Sequence, residues 1–520
     1  MQSASHHRSV RRAQALAVLL LAAASAFAQA KPAARAKPRA DVEKFRARVE
    51  EAFSEAKVEK GYWGVLVTDA ATGEVVYALN PQRYFMPASN TKLFTTALAL
   101  ATLGPDYRFR TTIETRGAVD RNGRLRGDLV LVGRGDPNLS NRKLPMGKEV
   151  EHDGLPEKAL ADLAEAIAAR GIKQIEGDVV ADDSYFPYER FPSGWSIDDM
   201  LWSYGAAVSA ICVNDNTISV ELRPGEREGD PVWFGVEPWA SYYRFQNEIR
   251  TGAAGSERKL EVVREPGSRL TIMRGTLAAD AQPYTLTFAV EEPAEHAAYL
   301  LKRLLEARGV RVYGEARARH VPDASAGEPT VLAEHLSLPL IEDVRVLNKI
   351  SQNLHAELLL RVPAREKGGA ATLDAALKFA EDFRKGIGIE EGDIVLHDGS
   401  GLSRRNLVTP QGVVRLLTWI AQQPWADAFR ATLPIAGEDG TLADRMKNTP
   451  AADHIWAKTG SLDHVNAVSG YATTARGARL IFSMFGNNNA LRGSAATAVL
   501  DAVCVAMIEE LKAPPSKPAR

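Results

Sequence analysis

The chain has 520 residues, 45% of them hydrophobic and 25% charged, with a formal net charge of −1 at pH 7. This composition is typical of a globular protein with a sizeable core, and the length allows about three domains. The near-zero net charge excludes a nucleic-acid-binding protein that uses a broad positive field. Two cysteines exclude a disulfide scaffold and a thiolate zinc cluster, and the body of the chain contains no apolar run of about 18 residues that would span a membrane.

The N-terminus has the pattern of a secretory signal peptide. Arginines precede an apolar stretch from Ala13 to Ala24, and small residues follow it. This order is typical of a segment that is removed on export, whereas the apolar core is too short for a comfortable membrane anchor. We therefore expect residues 1–30 to be cleaved, residues 31–40 to form a linker, and the mature protein to be periplasmic. The proline-rich tail, 513–520, is too short for an amphipathic membrane anchor.

Periodicity predicts helices and hairpins at both ends of the chain. Asp41 to Val58 is predicted as an amphipathic helix and Tyr62 to Leu79 as a β-hairpin. The segment PASNTKLFTTALALATLG then predicts a helix that ends at Gly104. A second hairpin is predicted over Asn466 to Phe485, and a closing helix over Ala495 to Leu511.

The middle of the chain differs from both ends in its pattern of apolar and turn residues. It is rich in strand-like runs and turn residues, interrupted by one predicted helix, Pro293 to Arg308, before helical periodicity returns from Leu336 to Leu417. The pattern predicts one α/β domain split by a β-rich insertion. We expect the boundaries to be 41–111 for the first part of the split domain, 112–318 for an insertion of two nested subdomains, and 319–512 for the second part.

The two cysteines are expected to be free. Cys212 and Cys504 could pair in an oxidising compartment. Each, however, lies in an apolar run (AVSAICV and LDAVCVAMI), so two buried thiols are the favoured prediction.

Three short motifs carry the candidate chemistry. They are, in chain order, an S-x-x-K (Ser89 to Lys92), an S-x-N (Ser351 to Asn353) and a K-T-G (Lys458 to Gly460). An S-x-x-K alone is weak evidence, since the chain has other copies, but only the copy at Ser89 opens a strongly apolar helix directly behind a hairpin. The ordered trio is the pattern of penicillin-binding proteins and class A β-lactamases.

The residue types suit acyl transfer. Positions i and i+3 share a helix face, so Lys92 can act as the base for a Ser89 nucleophile if burial or a nearby cation such as Lys458 lowers its pKa. Ser351 can relay a proton to the leaving amine, and the Asn353 amide can hydrogen-bond the substrate backbone.

The K-T-G segment would form the substrate-facing edge of the cleft. An edge strand at Gly460 would let a peptide add as a further strand, with Lys458 and Thr459 facing its terminal carboxylate. The backbone N–H groups of Ser89 and Ser461 would form an oxyanion hole.

With these motifs the chain resembles the D-alanyl-D-alanine carboxypeptidase/endopeptidases of the class C low-molecular-mass penicillin-binding proteins, the S13 peptidases. The segments MPASNTKLFTTALAL, GRGDPNLS, DGSGLSRRNLVTP, LPIAGEDGTLADRM and AKTGSLDHVNAVSGY carry the likeness along the mature chain. The resemblance implies a transpeptidase-like α/β (α+β) fold, an antiparallel sheet with flanking helices, split by a large insertion. It also implies the catalytic roles of Ser89, Lys92, Ser351, Asn353 and Lys458.

The function so implied is a penicillin-sensitive serine peptidase of the periplasm. It would hydrolyse D-Ala-D-Ala and D-Ala–diaminopimelate bonds of peptidoglycan stem peptides through an acyl-enzyme, with β-lactams as covalent inhibitors. A serine β-lactamase is one alternative, although no Glu-x-x-x-Asn segment supplies a deacylating base and the insertion argues against it. A non-catalytic peptidoglycan-binding protein is another, although such a protein has no use for Ser89, Lys92 and Lys458 together.

Selectivity is expected to come partly from the insertion. Arg404, at the end of a glycine-rich turn with Leu402, could take the carboxylate of a diaminopimelate side chain. Asp199 could take its ammonium, and Tyr204 could cover its aliphatic stem. No metal, organic cofactor, nucleic acid or integral membrane association is expected. The sequence leaves open the oligomeric state, the protein partners and the preference between carboxypeptidase and endopeptidase activity.

Overall fold

The computed structural model describes residues 39–56, 58–238, 242–324, 327–491 and 494–513. The expected signal peptide, nearly all of the linker and nearly all of the tail lie outside the described residues. Within the described ranges, no helix combines the length and apolarity needed to cross a membrane.

One antiparallel sheet joins the two ends of the chain. Its strands are β1 (Tyr62–Asp69), β2 (Val75–Leu79), β22 (Ile455–Leu462), β23 (Val465–Thr473) and β24 (Arg479–Asn487). Their order is β2-β1-β24-β23-β22, which places β22 at one edge. Strand β1 pairs with β24 along its whole length, so both predicted hairpins are confirmed and lie side by side.

Helices cover both faces of this sheet. They are α1 (Ala40–Glu55), α2 (Lys92–Leu103), α5 (Leu340–Ile350), α6 (Asn353–Gly368), α7 (Leu373–Gly386), α8 (Pro410–Ile420), α9 (Ala426–Thr432) and α10 (Ser494–Glu510). Because side chains alternate along a strand, Leu66 packs with α2 and α8 on one face, whereas Val65 and Val67 pack with α1 and α10 on the other. Helix α2 is apolar on most sides and nine of its residues are buried, so it is the central helix of the domain.

Short elements complete the split domain. They are β20 (Ile394–Val395), β21 (Leu407–Val408) and 3-10 turns at Ala88–Thr91 and Gly440–Leu442. Further 3-10 turns occur in the insertion at Ile197–Leu201, Ser203–Gly205 and Asn214–Asn216.

The first unit of the insertion packs two sheets around two helices. The strands are β3 (Arg110–Thr115), β4 (Ala118–Val119), β5 (Arg124–Arg126), β6 (Leu129–Val132), β8 (Gln174–Ile175), β9 (Val179–Asp182), β17 (Arg311–Val312), β18 (Ala316–Arg319) and β19 (Thr330–Leu336). They form sheets of order β18-β9-β6-β3-β19 and β17-β8-β5-β4. The helices are α3 (Lys158–Ala169) and α4 (Pro293–Ala307), which share one hydrophobic cluster with both sheets.

The second unit is built from strands alone. Its strands are β11 (Thr217–Arg223), β12 (Trp233–Glu237), β13 (Arg244–Gly252), β14 (Lys259–Val263), β15 (Leu270–Ala278) and β16 (Tyr284–Ala289). They form two three-stranded sheets, β12-β11-β16 and β13-β15-β14, around a separate cluster that includes Phe288. A parallel pair of short strands, β7 (Asp136–Leu139) and β10 (Ile211–Val213), adds Leu139, Ile211 and Val213 to the hydrophobic cluster of the first unit.

Two details differ from the sequence prediction. Helix α3 was not predicted, because its alanine-rich apolar face was obscured by the strand-like runs around it. Strand β19 pairs with β3 at the start of the insertion, so the β-rich part continues past the expected end at Ala318. The cysteines agree with the prediction, since Cys212 and Cys504 are both buried and unpaired.

Candidate active site

The S-x-x-K serine lies in the turn that leads into α2. Ser89 belongs to the 3-10 turn, and Lys92 is the first residue of the α-helix. The spacing of three residues brings Lys92 Nζ to 2.8 Å from Ser89 Oγ. Ala88, directly before the serine, has φ +46, an unfavourable conformation for a residue with a Cβ that is typical of functional sites.

Lys92 is fully buried and makes two further hydrogen bonds. Its Nζ donates to Asn353 Oδ1 and to the Ser400 carbonyl oxygen, each at 2.7 Å. Burial lowers the pKa of Lys92 to about 7, although the nearby charges of Asp398 and Glu357 act in the opposite direction. A substantial fraction of Lys92 is therefore neutral near pH 7 and able to accept a proton from Ser89.

The S-x-N serine faces the second lysine. Ser351 ends α5 with φ +63, and its Oγ accepts a hydrogen bond of 2.9 Å from Lys458 Nζ. Burial, together with the charge of Lys92, lowers the pKa of Lys458 well below its usual value. The sequence left burial or a nearby cation such as Lys458 as the possible cause of a low Lys92 pKa. Burial is the largest cause, and the repulsion between the two lysines appears in the lowered pKa of Lys458.

The K-T-G segment runs along the edge strand β22, directly against the serine turn. A Cβ at Gly460 would lie 2.7 Å from the Pro87 carbonyl oxygen and 3.0 Å from Ser89 N, so a larger residue would push the strand away. Thr459 Oγ1 donates to Thr441 Oγ1 at 2.7 Å, and Ser461, the next residue, is exposed. The motif thus places a buried stretch of the edge strand, with an exposed end at Ser461, beside Ser89.

A glycine-rich loop, residues 398–403, closes the site on the side of Lys92. Gly401 has φ +87, and a Cβ there would lie 1.8 Å from the Ala88 carbonyl oxygen. Only glycine allows this contact, which presses the loop onto the serine turn. Leu402, expected to contact substrate, is 6% exposed and its backbone N–H donates to Ser400 Oγ.

The expected selectivity residues form a cluster beside Asn353. The Tyr204 carbonyl oxygen accepts from Asn353 Nδ2 at 2.8 Å. Burial, the charge of Asp199 and a hydrogen bond to that carboxylate raise the pKa of the Tyr204 phenol, and Asp463 adds to the effect. Arg404 Nη2 lies 3.6 Å from Asp463 Oδ2. The structure therefore brings Asp199 and Tyr204 together, and pairs Arg404 with an aspartate that the sequence patterns did not indicate.

The chain from residue 45 to residue 507 matches the D-Ala-D-Ala carboxypeptidase 3 (S13) family. The chain belongs to this family. The recognition made from the motifs, and with it the enzyme class of a D-Ala-D-Ala carboxypeptidase, is confirmed.

Relatives and solved structures agree with this assignment. The chain is 38% identical over 516 residues to the D-alanyl-D-alanine carboxypeptidase of Actinomadura sp. (strain R39), covering 96% of this chain and 90% of the relative. It is 28% identical to D-alanyl-D-alanine carboxypeptidase DacB of Haemophilus influenzae, covering 82% and 85%. The crystal structure of penicillin binding protein 4 (dacB) from H. influenzae superposes with a TM-score of 0.76 at 27% identity, covering 90% of this chain and 99% of that one. The predicted transpeptidase-like fold is confirmed.

Several contacts of Lys92 and Thr459 in this carboxypeptidase site were not predicted from the sequence. The Ser400 carbonyl and the buried carboxylates of Glu357 and Asp398 lie behind Lys92, and Thr441 supports Thr459. Ser400, Asp398 and Thr441 all fall within segments that carry the family likeness, which was the available signal. Glu357 gave another signal, since a charged residue in the apolar run of a buried helix requires a partner.

Among the described residues, one set of possible metal donors includes His355, two residues after Asn353. Cys212, Asp215 and His355 present donor atoms within 4.8 Å of one another. Both Asp215 oxygens, however, accept hydrogen bonds from the Arg142 guanidinium. Although burial acts in the opposite direction, Arg142 and His355 hold the pKa of Asp215 well below its usual value. The arginine already supplies the positive charge, so the set does not fit a metal cation.

Proposed function

We propose that this S13 enzyme hydrolyses D-Ala-D-Ala and D-Ala–diaminopimelate bonds of peptidoglycan stem peptides in the periplasm, through an acyl-enzyme on Ser89. The observation that carries the proposal is the contact of 2.8 Å between Ser89 Oγ and a buried Lys92 whose pKa is about 7. A serine hydroxyl needs an adjacent base to become a nucleophile, and a desolvated lysine is such a base.

In acylation, Ser89 Oγ attacks the carbonyl carbon of the penultimate D-Ala while its proton passes to Lys92 Nζ. The backbone N–H groups of Ser89 and Ser461 stabilise the oxyanion that forms. When the tetrahedral intermediate collapses, the C–N bond breaks and the leaving amine takes a proton from Lys92 by way of Ser351. The hydrogen bond of 2.9 Å from Lys458 to Ser351 supports this relay, because it fixes the hydroxyl.

Deacylation repeats the same proton transfers with water. Water attacks the ester carbonyl as its proton passes to Lys92, and Ser89 leaves with a proton returned to its oxygen. Lys458 and Thr459 bind the terminal carboxylate of the substrate. Burial and the charge of Lys92 hold the pKa of Lys458 well below its usual value, so a substrate carboxylate beside it favours the protonated lysine.

For selectivity, we propose that the cluster of Asp199, Tyr204 and Arg404 binds the diaminopimelate side chain of the substrate. Asp199 binds its ammonium, Tyr204 covers its aliphatic part, and Arg404 binds its carboxylate. Two features support this assignment: the Asp199–Tyr204 hydrogen bond and the link from Tyr204 to Asn353. Since Asp463 lies 3.6 Å from Arg404, a substrate carboxylate has to displace this aspartate.

β-Lactams are proposed to acylate Ser89 and to remain bound, because the leaving amine stays tethered to the acyl group. A relative of known structure, the H. influenzae protein, has been crystallised with a β-lactam. This persistence separates the proposed peptidase from a β-lactamase, which would release the hydrolysed drug rapidly.

The test has two parts. Purified sacculi are digested with the mature protein, and released D-alanine and lost cross-links are read by mass spectrometry. Intact-mass analysis with penicillin should give one adduct, which maps to Ser89 and is missing from Ser89→Ala. An adduct on another serine, or intact sacculi after digestion, would overturn the proposal.

A further inference from the structure

A buried carboxylate stands behind the loop that holds Lys92. Glu357, in α6, is 0% exposed. Its Oε1 accepts hydrogen bonds from the backbone N–H groups of Gly399 and Ser400, each at 2.9 Å. Its Oε2 accepts from Arg361 Nη1 at 2.9 Å, one helical turn further on. All of these groups are buried, so the contacts are shielded from competing water.

Through the loop, these contacts connect Glu357 to Lys92, the candidate base. Glu357 fixes the N–H of Ser400, and the carbonyl oxygen of the same residue accepts from Lys92 Nζ at 2.7 Å. Thr95 Oγ1, on α2, donates to the Gly399 carbonyl oxygen at 2.7 Å and ties the loop to the helix that carries Lys92. The position of the Ser400 oxygen, and therefore the direction of Lys92 Nζ, depends on the carboxylate of Glu357.

The charge of Glu357 acts on the same lysine. Lys92 becomes an ammonium when it takes the Ser89 proton, and its side chain is fully buried. The charged groups around it are Asp398 and Glu357, whose carboxylates favour the ammonium, and Lys458, whose own pKa is lowered by the charge of Lys92. Burial and the charge of Asp398 raise the pKa of Glu357, and Arg361 opposes them and favours the ionised carboxylate.

We propose that Glu357 is a positioning residue for Lys92: it fixes the loop whose Ser400 carbonyl directs the lysine, and its negative charge stabilises the ammonium formed during acylation. The inference rests on the proposed role of Lys92 as the base. It adds a residue outside the three motifs, on the far side of the loop from the substrate.

The test compares acylation by a chromogenic cephalosporin across about pH 6 to 9 in four proteins. These are the wild type, Glu357→Gln, Glu357→Asp and a matched control, Glu366→Gln, which changes an exposed glutamate on the same helix. Folding of each is checked by near-ultraviolet circular dichroism and thermal melting. The wild type also tests the proposed function: if it carries no adduct on Ser89, that proposal fails, whatever the variants do.

Glu357→Gln keeps an oxygen for the loop N–H groups and removes the charge. Because the carboxylate raises the pKa of Lys92, its loss should move the midpoint of the pH profile to lower pH. The maximal acylation rate should also fall, by about 10- to 100-fold, because the ammonium loses a stabilising charge. Glu357→Asp keeps the charge but is one methylene too short to reach the loop, so the rate should fall at least about tenfold with the midpoint unmoved.

Three results would overturn the proposal. One is a Glu357→Gln rate within about twofold of the wild type with an unshifted profile. Another is a lower Glu357→Gln rate at an unshifted midpoint, which indicates a purely structural role. The third is a Glu357→Asp rate equal to that of Glu366→Gln. Should Glu357→Gln fail to fold, the acylation rate of Glu357→Asp, compared with that of Glu366→Gln, tests the proposal, since the aspartate preserves the charge opposite Arg361.

Discussion

Acylation of Ser89 by a β-lactam should follow a titration curve with its midpoint near pH 7, because only neutral Lys92 can take the serine proton. With a pKa of about 7, neutral Lys92 accounts for about a tenth of the protein at pH 6, about half at pH 7 and about nine tenths at pH 8. The second-order acylation rate should therefore rise about tenfold between pH 6 and pH 8 and then level off.

An unshifted lysine gives a different curve. If Lys92 kept the ordinary lysine pKa of 10.5, the neutral fraction would rise about a hundredfold over the same two pH units, without a plateau. The measurement is stopped-flow acylation by a chromogenic cephalosporin, with Ser89→Ala as the blank. A rate that keeps rising with a slope of one beyond about pH 8.5, or that does not depend on pH, would refute the assignment of a buried Lys92 as the base.

Three further outcomes are expected. Lys92→Arg keeps a positive charge that cannot be given up, so the folded variant should show no acylation by intact mass. Gly401→Ala should lower acylation at least about tenfold, because the new Cβ would meet the Ala88 carbonyl at 1.8 Å; the control Gly477→Ala, where nothing lies within 4 Å, should acylate normally. Asp463→Asn should raise kcat/KM on a diaminopimelate peptide, because it removes the carboxylate that competes for Arg404 Nη2, and leave kcat/KM on a simple acyl-D-Ala-D-Ala unchanged.

The sequence predicted those parts of the fold that local patterns determine. The two apolar runs of β1 and β2 around a turn, and the apolar run of α2, were sufficient to predict these elements of the split domain, and the order of the motifs pointed to the family. Helix α3 was missed because strand-like runs on both sides obscured its helical periodicity. The pairing of β19 with β3 could not be predicted from local patterns, because the two strands lie far apart in the chain.

For the candidate site, the sequence predicted which side chains come together better than it predicted how deeply they are buried. Spacing indicated that Ser89 and Lys92 meet, but the depth of burial that lowers the pKa of Lys92 is a property of the assembled core. The motif pattern alone therefore could not decide between burial and the charge of Lys458 as the main cause. Every residue type has a backbone carbonyl, so the sequence does not reveal that the Ser400 carbonyl binds Lys92. Asp463 pairs with Arg404 only because a hairpin turn and a glycine-rich loop meet in space.

The insertion also contacts the loop behind Lys92, and this contact gives the last prediction. Trp195 Nε1 donates to Asp398 Oδ2 at 2.9 Å, while the other Asp398 oxygen accepts from Gly401 N at 2.9 Å. Gly401 N and the Ser400 carbonyl belong to one peptide group, so Asp398 orients the oxygen that receives Lys92. Trp195→Phe keeps a ring in place but removes a hydrogen bond to a buried charge, which costs about 1.5–3 kcal/mol in loop stability.

Acylation of Trp195→Phe should therefore slow by about tenfold or more, and equally for a cephalosporin and for any peptide substrate, because the change acts on the shared base. A substitution in the selectivity cluster should instead separate the substrates. Trp233→Phe, at an exposed tryptophan in the second unit, is the matched control. Unchanged acylation in folded Trp195→Phe, or a loss confined to one substrate, would show that the insertion does not act through the Asp398 loop.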